Sequence, residues 1–321
     1  MKDLSKKSQK RIAIQFYGYL RSYKDCRDSF FKHLVEPIQK AGYKVDIFMH
    51  SWDFVEGQVT SWDYEKAKTN AKPPQKTPPK DELTKLYNLK GIAITAQPAH
   101  KDSEKFIKMR WENYRFGSIL GAYYSQYIVN ILRQQYEQEI GIKYDLVLVT
   151  RPDLFFITNF NLEWIGKNLE NKIFCYYWLV EGVFVWLDQF YLAQPNTINA
   201  MTKIYETLDY DNLCKENFCD PEDATQHFLI NKKIEVLCLG NKRPFEILRS
   251  KDYLAFRKVV ELQENAIIVI TNKEFDRLKR LEHLGGFVRY YTNKKLAILR
   301  KNTRAIRYPI KRIFGFKTDK N

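Results

Sequence analysis

Three short polar segments carry side chains suited to anionic substrates. The sharpest is Thr150-Arg151-Pro152-Asp153, which follows an apolar run. Proline lacks a backbone donor and ends a central strand, which aims Arg151 and Asp153 out of a sheet. An arginine and a carboxylate so placed offer two ways to stabilise a departing diphosphate. Guanidinium donors can act directly, or Asp153 can hold a divalent ion. The same pair would also close a turn as an ion pair. The second segment is Gly18-Tyr19-Leu20-Arg21. Gly18 permits close backbone approach and Arg21 can bind phosphate, unless it is simply solvated. The third is His50-Ser51-Trp52-Asp53. His50 there is a ligand, an acid/base group or a hydrogen-bonded structural residue.

Two carboxylates downstream are candidates for catalysis. Asp188 stands between apolar residues in FVWLDQFYLA, so it must be paired, bound or at a strand end. Glu222 lies in the cluster Cys219-Asp220-Pro221-Glu222-Asp223, which opens a helix. Capping and dipole compensation explain that cluster, and a general base for an incoming hydroxyl is the functional alternative.

The elements that must position these groups follow from hydrophobic spacing. RIAIQFY (11–17) reads as a buried first strand. Phe30, Phe31, Leu34, Val35 and Ile38 recur at helical spacing, with Pro37 able to kink or end the helix and Gly42 to stop it. VDIFM (45–49) and GIAITA (91–96) are the next strands, and Trp111 to Ile140 is a long helix closed by Gly141. LVLV (146–149) is apolar on both faces, the pattern of a central strand covered by helices. Further strands are expected at 172–179, 182–193 and 234–239, and helices at 195–208 and 221–230, each with proline near its first turn. Strand, helix and strand at these lengths are βαβ units, and ligands of such sheets sit outside the carboxyl ends of the strands. Residues 51–80 are expected to be a mobile loop, since KAKTNAKPPQKTPPK has four prolines, five lysines and no apolar period. Beyond Arg249 the pattern becomes mainly helical.

The net charge of +15 sits at the ends. Residues 1–11 carry +4 and residues 283–321 carry +10, which leaves +1 on residues 12–282. A nucleic-acid-binding domain shows its excess on the folded body, so this class is disfavoured, though a basic nucleic-acid-binding protein stays an alternative. The tail instead pairs ten basic residues between Arg289 and Lys317 with Leu296, Leu299, Ile306, Ile310 and Ile313 near one helical face. That combination suits an anionic membrane surface, and a solvated tail is the other reading. No apolar run is long enough to span a bilayer, and no secretory leader is evident, so the expected location is cytoplasmic, peripheral at the membrane face. Five scattered cysteines read as reduced thiols. The absence of G-x-G-x-x-G and of a P-loop counts against dinucleotide oxidoreductases and P-loop enzymes. A sugar nucleotidyltransferase, with its glycine-rich N-terminal loop, remains a rival to which the lone Gly18 is a poor match.

The segments RIAIQFYGYLRSYKDCRDSFFKHLVEP, VDIFMHSWD, YSQYIVNILRQQYE with YDLVLVTRPDLFF, LDQFYLAQPNTINAMTKIYETL and PEDATQHFLI follow in this order. In them the chain resembles bacterial glycosyltransferases found with lipopolysaccharide and capsule genes. The resemblance implies an α/β, GT-A-like fold: a Rossmann-type, mostly parallel sheet flanked by helices. On this reading residues 1–250 form the nucleotide-sugar-binding and catalytic domain, and 251–321 a mainly helical basic C-terminal extension. It implies a nucleotide sugar as donor and a lipid-linked saccharide as acceptor, and it marks Arg21, Gln126, Asp188 and Glu222 as site residues. Such enzymes often hold Mn²⁺ or Mg²⁺ with an Asp-x-Asp motif. Here Arg151-Pro152-Asp153 stands at that place, so Asp153 is the one metal candidate and metal use is an open question.

Overall fold

The structure is a computed structural model that describes residues 9–56, 75–96, 115–165, 168–180, 183–207, 221–239 and 245–247. The first strand, β1 (Arg11–Phe16), lies between two parallel neighbours. On one side is β2 (Lys44–Trp52), followed outward by the parallel β3 (Leu89–Thr95). On the other is β4 (Leu146–Thr150). Beyond it come β7 (Val183–Ala193), antiparallel to β4, then β6 (Lys172–Val180) and β8 (Glu235–Cys238). The sheet order is β3-β2-β1-β4-β7-β6-β8, so six strands run one way and β7 the other. This is the mostly parallel α/β sheet that the alternating apolar runs imply.

Both faces of the sheet are covered, which is why its central strands are mostly apolar. Ile12, Ile14, Phe16, Leu146 and Leu148 point to one face, with helix α1 (Tyr23–Phe30) and helix α3 (Lys80–Tyr87). Ala13, Val147 and Val149 point to the other, under the long helix α4 (Arg115–Ile140), α5 (Pro195–Thr202) and α7 (Pro221–Asn231). A short helix α6 (Ile204–Thr207) follows α5. The helix expected around Pro37 is one helical run with a wide turn in it. A π-helical turn at Phe31–Val35 joins α1 to α2 (Glu36–Lys40), and the Glu36 amide reaches back to Phe31. Pro37 has no amide to donate, so the ladder is already open at this point and the wider turn costs little there. Gly42 follows at φ +89°, the left-handed stop that glycine adopts freely.

Two sequence readings need correction. The mobile loop was placed from residue 51, but β2 continues through Trp52, with Ser51 and Trp52 buried. The described residues on either side of 57–74 are joined to one another. Val55 donates to the Gln75 carbonyl (2.8 Å) and Thr77 to that of Asp53 (2.8 Å), while Phe54 and Lys76 form an antiparallel bridge. The part of that segment between 57 and 74 lies outside the described residues. The second correction is a small sheet that no periodicity announced. Strand β5 (Leu154–Phe156), just after Asp153, pairs antiparallel with β9 (Phe245–Ile247). Both strands are only three residues long, too short for a period-two pattern to stand out. The C-terminal extension, with its basic segment, lies outside the described residues.

Candidate functional site

The chain steps outward from β1 to β2 and β3, then crosses to the other side at β4. Between β1 and β4 the strand order therefore reverses, and the two strands end level, Phe16 opposite Thr150. Open α/β sheets bind ligands at the carboxyl ends of strands where this reversal leaves a crevice. The two sharpest polar segments, 18–21 and 150–153, emerge at that place.

The turn after β1 has an unusual backbone. Gly18 has φ +91° with open space where a Cβ would stand, and Arg21 has φ +46°, a left-handed conformation that costs an arginine energy. Several bonds hold it. Tyr17 N–H donates to the Thr150 carbonyl (3.0 Å), and Arg21 N–H to that of Val55 (2.8 Å). Gly18 N–H donates to Ser125 Oγ on α4 (2.7 Å).

Across the crevice, Asp153 is fully buried and meets two guanidiniums. Arg151 grips it with both arms, Nε to Oδ1 at 2.9 Å and Nη2 to Oδ2 at 2.6 Å. Arg21 Nη1 reaches the same Oδ2 at 2.9 Å. Burial pushes the Asp153 carboxyl up, but the charges and hydrogen bonds of Arg151 and Arg21 outweigh it and hold the pKa below the usual carboxylate value. Burial likewise opposes the Arg151 cation, and Asp153 more than restores it. The segments that spacing could only place on one edge are thus joined by a direct ion-pair cluster.

Asp188 lies on β7 two residues beyond the last β4 partner, Phe190, and is 9% exposed. Its backbone carbonyl accepts from Tyr17 Oη (2.6 Å), and its charge acts on Arg151. It therefore belongs to the same edge. The β6–β7 hairpin runs on past the carboxyl end of β4, pairing Val180 with Val183, and forms one side of the crevice. Glu222 stands in the first turn of α7. That helix leads down to β8, which runs parallel to β6 and hence to β1, so its first turn is at the carboxyl-end edge. Thr225, one turn on, bonds Tyr123 of α4 (2.9 Å).

His50 and Gln126 are both buried polar residues. His50 is fully buried below the edge. Its Nδ1 shares a hydrogen bond with Ser125 Oγ (2.6 Å) and its Nε2 one with Thr95 Oγ1 (2.9 Å). Burial lowers its pKa to about 3, so the ring is neutral at physiological pH. With both nitrogens engaged, His50 supports Ser125 and, through it, the Gly18 turn. Gln126 is also buried, at 3% exposure, next to Ser125 on α4.

Three contributors escaped the sequence reading: Tyr17, Ser125 and Thr95. A tyrosine, a serine and a threonine have no spacing signature, and Ser125 is more than a hundred residues from the amide it receives. Aromatic rings pack beside the turn after β1. Trp52 stacks on Tyr124 at 5.7 Å and packs against Tyr19 at 6.2 Å, and Tyr124 meets Tyr205 at 5.2 Å. Burial pushes the Tyr19 hydroxyl up to about 12.

The residues present were compared with what a divalent ion requires. Both oxygens of Asp153 already accept from guanidiniums, and two cations stand where a third would have to enter. Among the described residues no group of three His, Cys, Asp or Glu side chains is placed to hold a metal. Fully buried and paired with two guanidiniums, Asp153 as placed does not fit Mn²⁺ or Mg²⁺. No described helix is long and apolar enough to cross a membrane.

No known family matches the chain, and no curated protein matches it. Among solved structures, the chain is similar to the apo form of the glycosyltransferase GlyE from Streptococcus pneumoniae TIGR4, with a TM-score of 0.39 and 14% identity. The match covers 72% of this chain and 45% of that one, so this chain spans less than half of that protein's length. At that score the likeness adds nothing to what the strands and the crevice show.

Proposed function

We propose that this chain is a glycosyltransferase that moves a sugar from a nucleotide-diphosphate donor to a saccharide acceptor. The observation that carries the reading is the β1–β4 crevice. It brings Arg21 and Arg151 together between β1 and β4, where strand order reverses. The sequence resemblance supports the same reading and narrows it to surface polysaccharide, lipopolysaccharide or capsule, with a lipid-linked acceptor.

In this proposal the turn 18–21 lies against the nucleotide, and the guanidiniums stabilise the diphosphate as it leaves. Asp188 or Glu222 accepts the proton of the acceptor hydroxyl in an inverting transfer. The acceptor oxygen bonds to the anomeric carbon, and the bond from that carbon to the diphosphate oxygen breaks with its electron pair leaving on the diphosphate. The basic segment 283–321 holds the enzyme at the cytoplasmic membrane face, near a lipid-linked acceptor.

The test is a thermal-shift screen of nucleotides and nucleotide sugars, with and without Mn²⁺, followed by an assay of nucleoside diphosphate release. The expected result is stabilisation by one nucleotide diphosphate and its sugar, and release from that sugar. Stabilisation by nucleoside triphosphate and sugar phosphate, with release of pyrophosphate, would instead assign a nucleotidyltransferase.

A further inference from the structure

Asp153 is the residue whose surroundings depart furthest from a ligand role. A carboxylate that binds a metal must offer at least one oxygen to it at about 2 Å. Asp153 is badly placed to do so: it is fully buried, Oδ1 accepts from Arg151, and Oδ2 accepts from both Arg151 and Arg21. Its burial is complete, while the two arginines keep 16% and 18% of their side chains exposed. The carboxylate is thus sealed from solvent, and each arginine keeps part of its side chain accessible.

The arginines also keep donors in reserve. Arg151 commits Nε and Nη2 to Asp153, which leaves Nη1 outside the clamp. Arg21 commits Nη1, and its Nε is buried with no hydrogen-bond partner. The nearest acid to that Nε is Glu56 Oε1 at 3.9 Å, on a side chain 48% exposed, which is a weak and water-screened pairing. An orphaned, buried guanidinium donor beside an open glycine calls for an anionic acceptor. The charge of Asp188 also favours the Arg151 cation.

We propose that Asp153 is a positioning residue that clamps Arg151 and Arg21, and that this crevice takes a diphosphate without a divalent ion. The inference rests on the glycosyltransferase reading for the identity of the diphosphate, but not for the anion site itself. The two arginines take the place of the metal, and Asp153 fixes the Arg151 fork by two bonds and tethers Arg21 by one.

Calorimetric titration of the full chain with inorganic pyrophosphate in EDTA tests it. Binding is expected in EDTA, weakened at least about tenfold in Arg21→Gln and in Arg151→Gln. Asp153→Asn is the discriminating variant. It removes a negative charge, so electrostatics alone would tighten pyrophosphate, whereas loss of the clamp weakens it by several-fold. Unchanged or tighter binding in Asp153→Asn overturns the positioning role. Should that variant fail to fold, Arg21→Lys keeps the charge and loses the fork; native affinity in Arg21→Lys overturns the proposal equally. Pyrophosphate that binds only when Mn²⁺ or Mg²⁺ is added, or does not bind at all, also overturns it. Metal-free binding with no turnover of any nucleotide sugar would sink the enzymatic reading and leave this one standing. Turnover that needs Mn²⁺ would do the reverse.

Discussion

His50 shows how burial changes what a residue type can do. Imidazole is the side chain most often recruited for proton transfer at neutral pH. Here desolvation holds the pKa down at about 3, and both nitrogens bond to hydroxyls. Its chemistry is that of a neutral bridge between Thr95 and Ser125. The sign of its pH effect follows. The unfolded chain takes up a proton on this histidine below about pH 6.5, while the folded chain resists until about pH 3. In that window the unfolded state binds more protons, so His50 makes stability fall as pH falls. His50→Asn is expected to be less stable at neutral pH, by about 1–3 kcal/mol, and to show a flatter acid limb between those values. Urea unfolding midpoints across that range check it; an acid limb as steep as the parent's would show that His50 is not the group responsible.

The elements place these residues by close packing, and α4 has the largest part. It lies against β1, β2 and β3, and from it Ser125 reaches the Gly18 amide. Its approach to β3 explains an otherwise unfavourable glycine in a strand. A Cβ on Gly91 would stand 3.2 Å from Phe48 Cδ1 and 3.7 Å from Leu132 Cβ of α4. Phe48 is fully buried, so it has little room to yield. Gly91→Ala is therefore expected to destabilise the fold by about 1–3 kcal/mol through overpacking, measured by thermal or urea unfolding. A neutral or stabilising result would mean that Phe48 turns aside freely. Below this contact, Arg133 of α4 is buried in a polar layer with Glu137, Asn130 and Asn199, and Gln15 of β1 donates to Asn130 (3.1 Å). That layer ties α4 to β1 and α5, and so fixes the depth at which Ser125 meets the turn.

Across the whole chain, the net charge is concentrated at the two ends of the sequence. The +14 carried by residues 1–11 and 283–321 together lies outside the nearly neutral body. If the tail serves the membrane and the crevice serves the donor, the two functions are separable. The truncated chain 1–282 is expected to bind pyrophosphate as the full chain does and to lose co-sedimentation with anionic phosphatidylserine vesicles. Loss of pyrophosphate binding in the truncated chain would put the anion site in the tail.

The sequence alone determined the α/β class, the order of the main strands and helices, and the edge at which the polar segments leave the sheet. Those features are local: apolar period, proline and glycine placement, and run length are written in adjacent residues. Central burial of LVLV was legible for the same reason, because a strand covered on both faces has no polar face to show. The tertiary structure alone decided the strand order, the antiparallel β7, the β5–β9 pair and the partners of each polar side chain. Asp153 meets Arg21 across 132 residues and Gly18 meets Ser125 across 107, distances over which sequence carries no spacing rule. A carboxylate beside an arginine reads the same whether it faces solvent, a metal or a second arginine. Only burial and the direction of the two guanidiniums distinguish these, and both are properties of the packed chain.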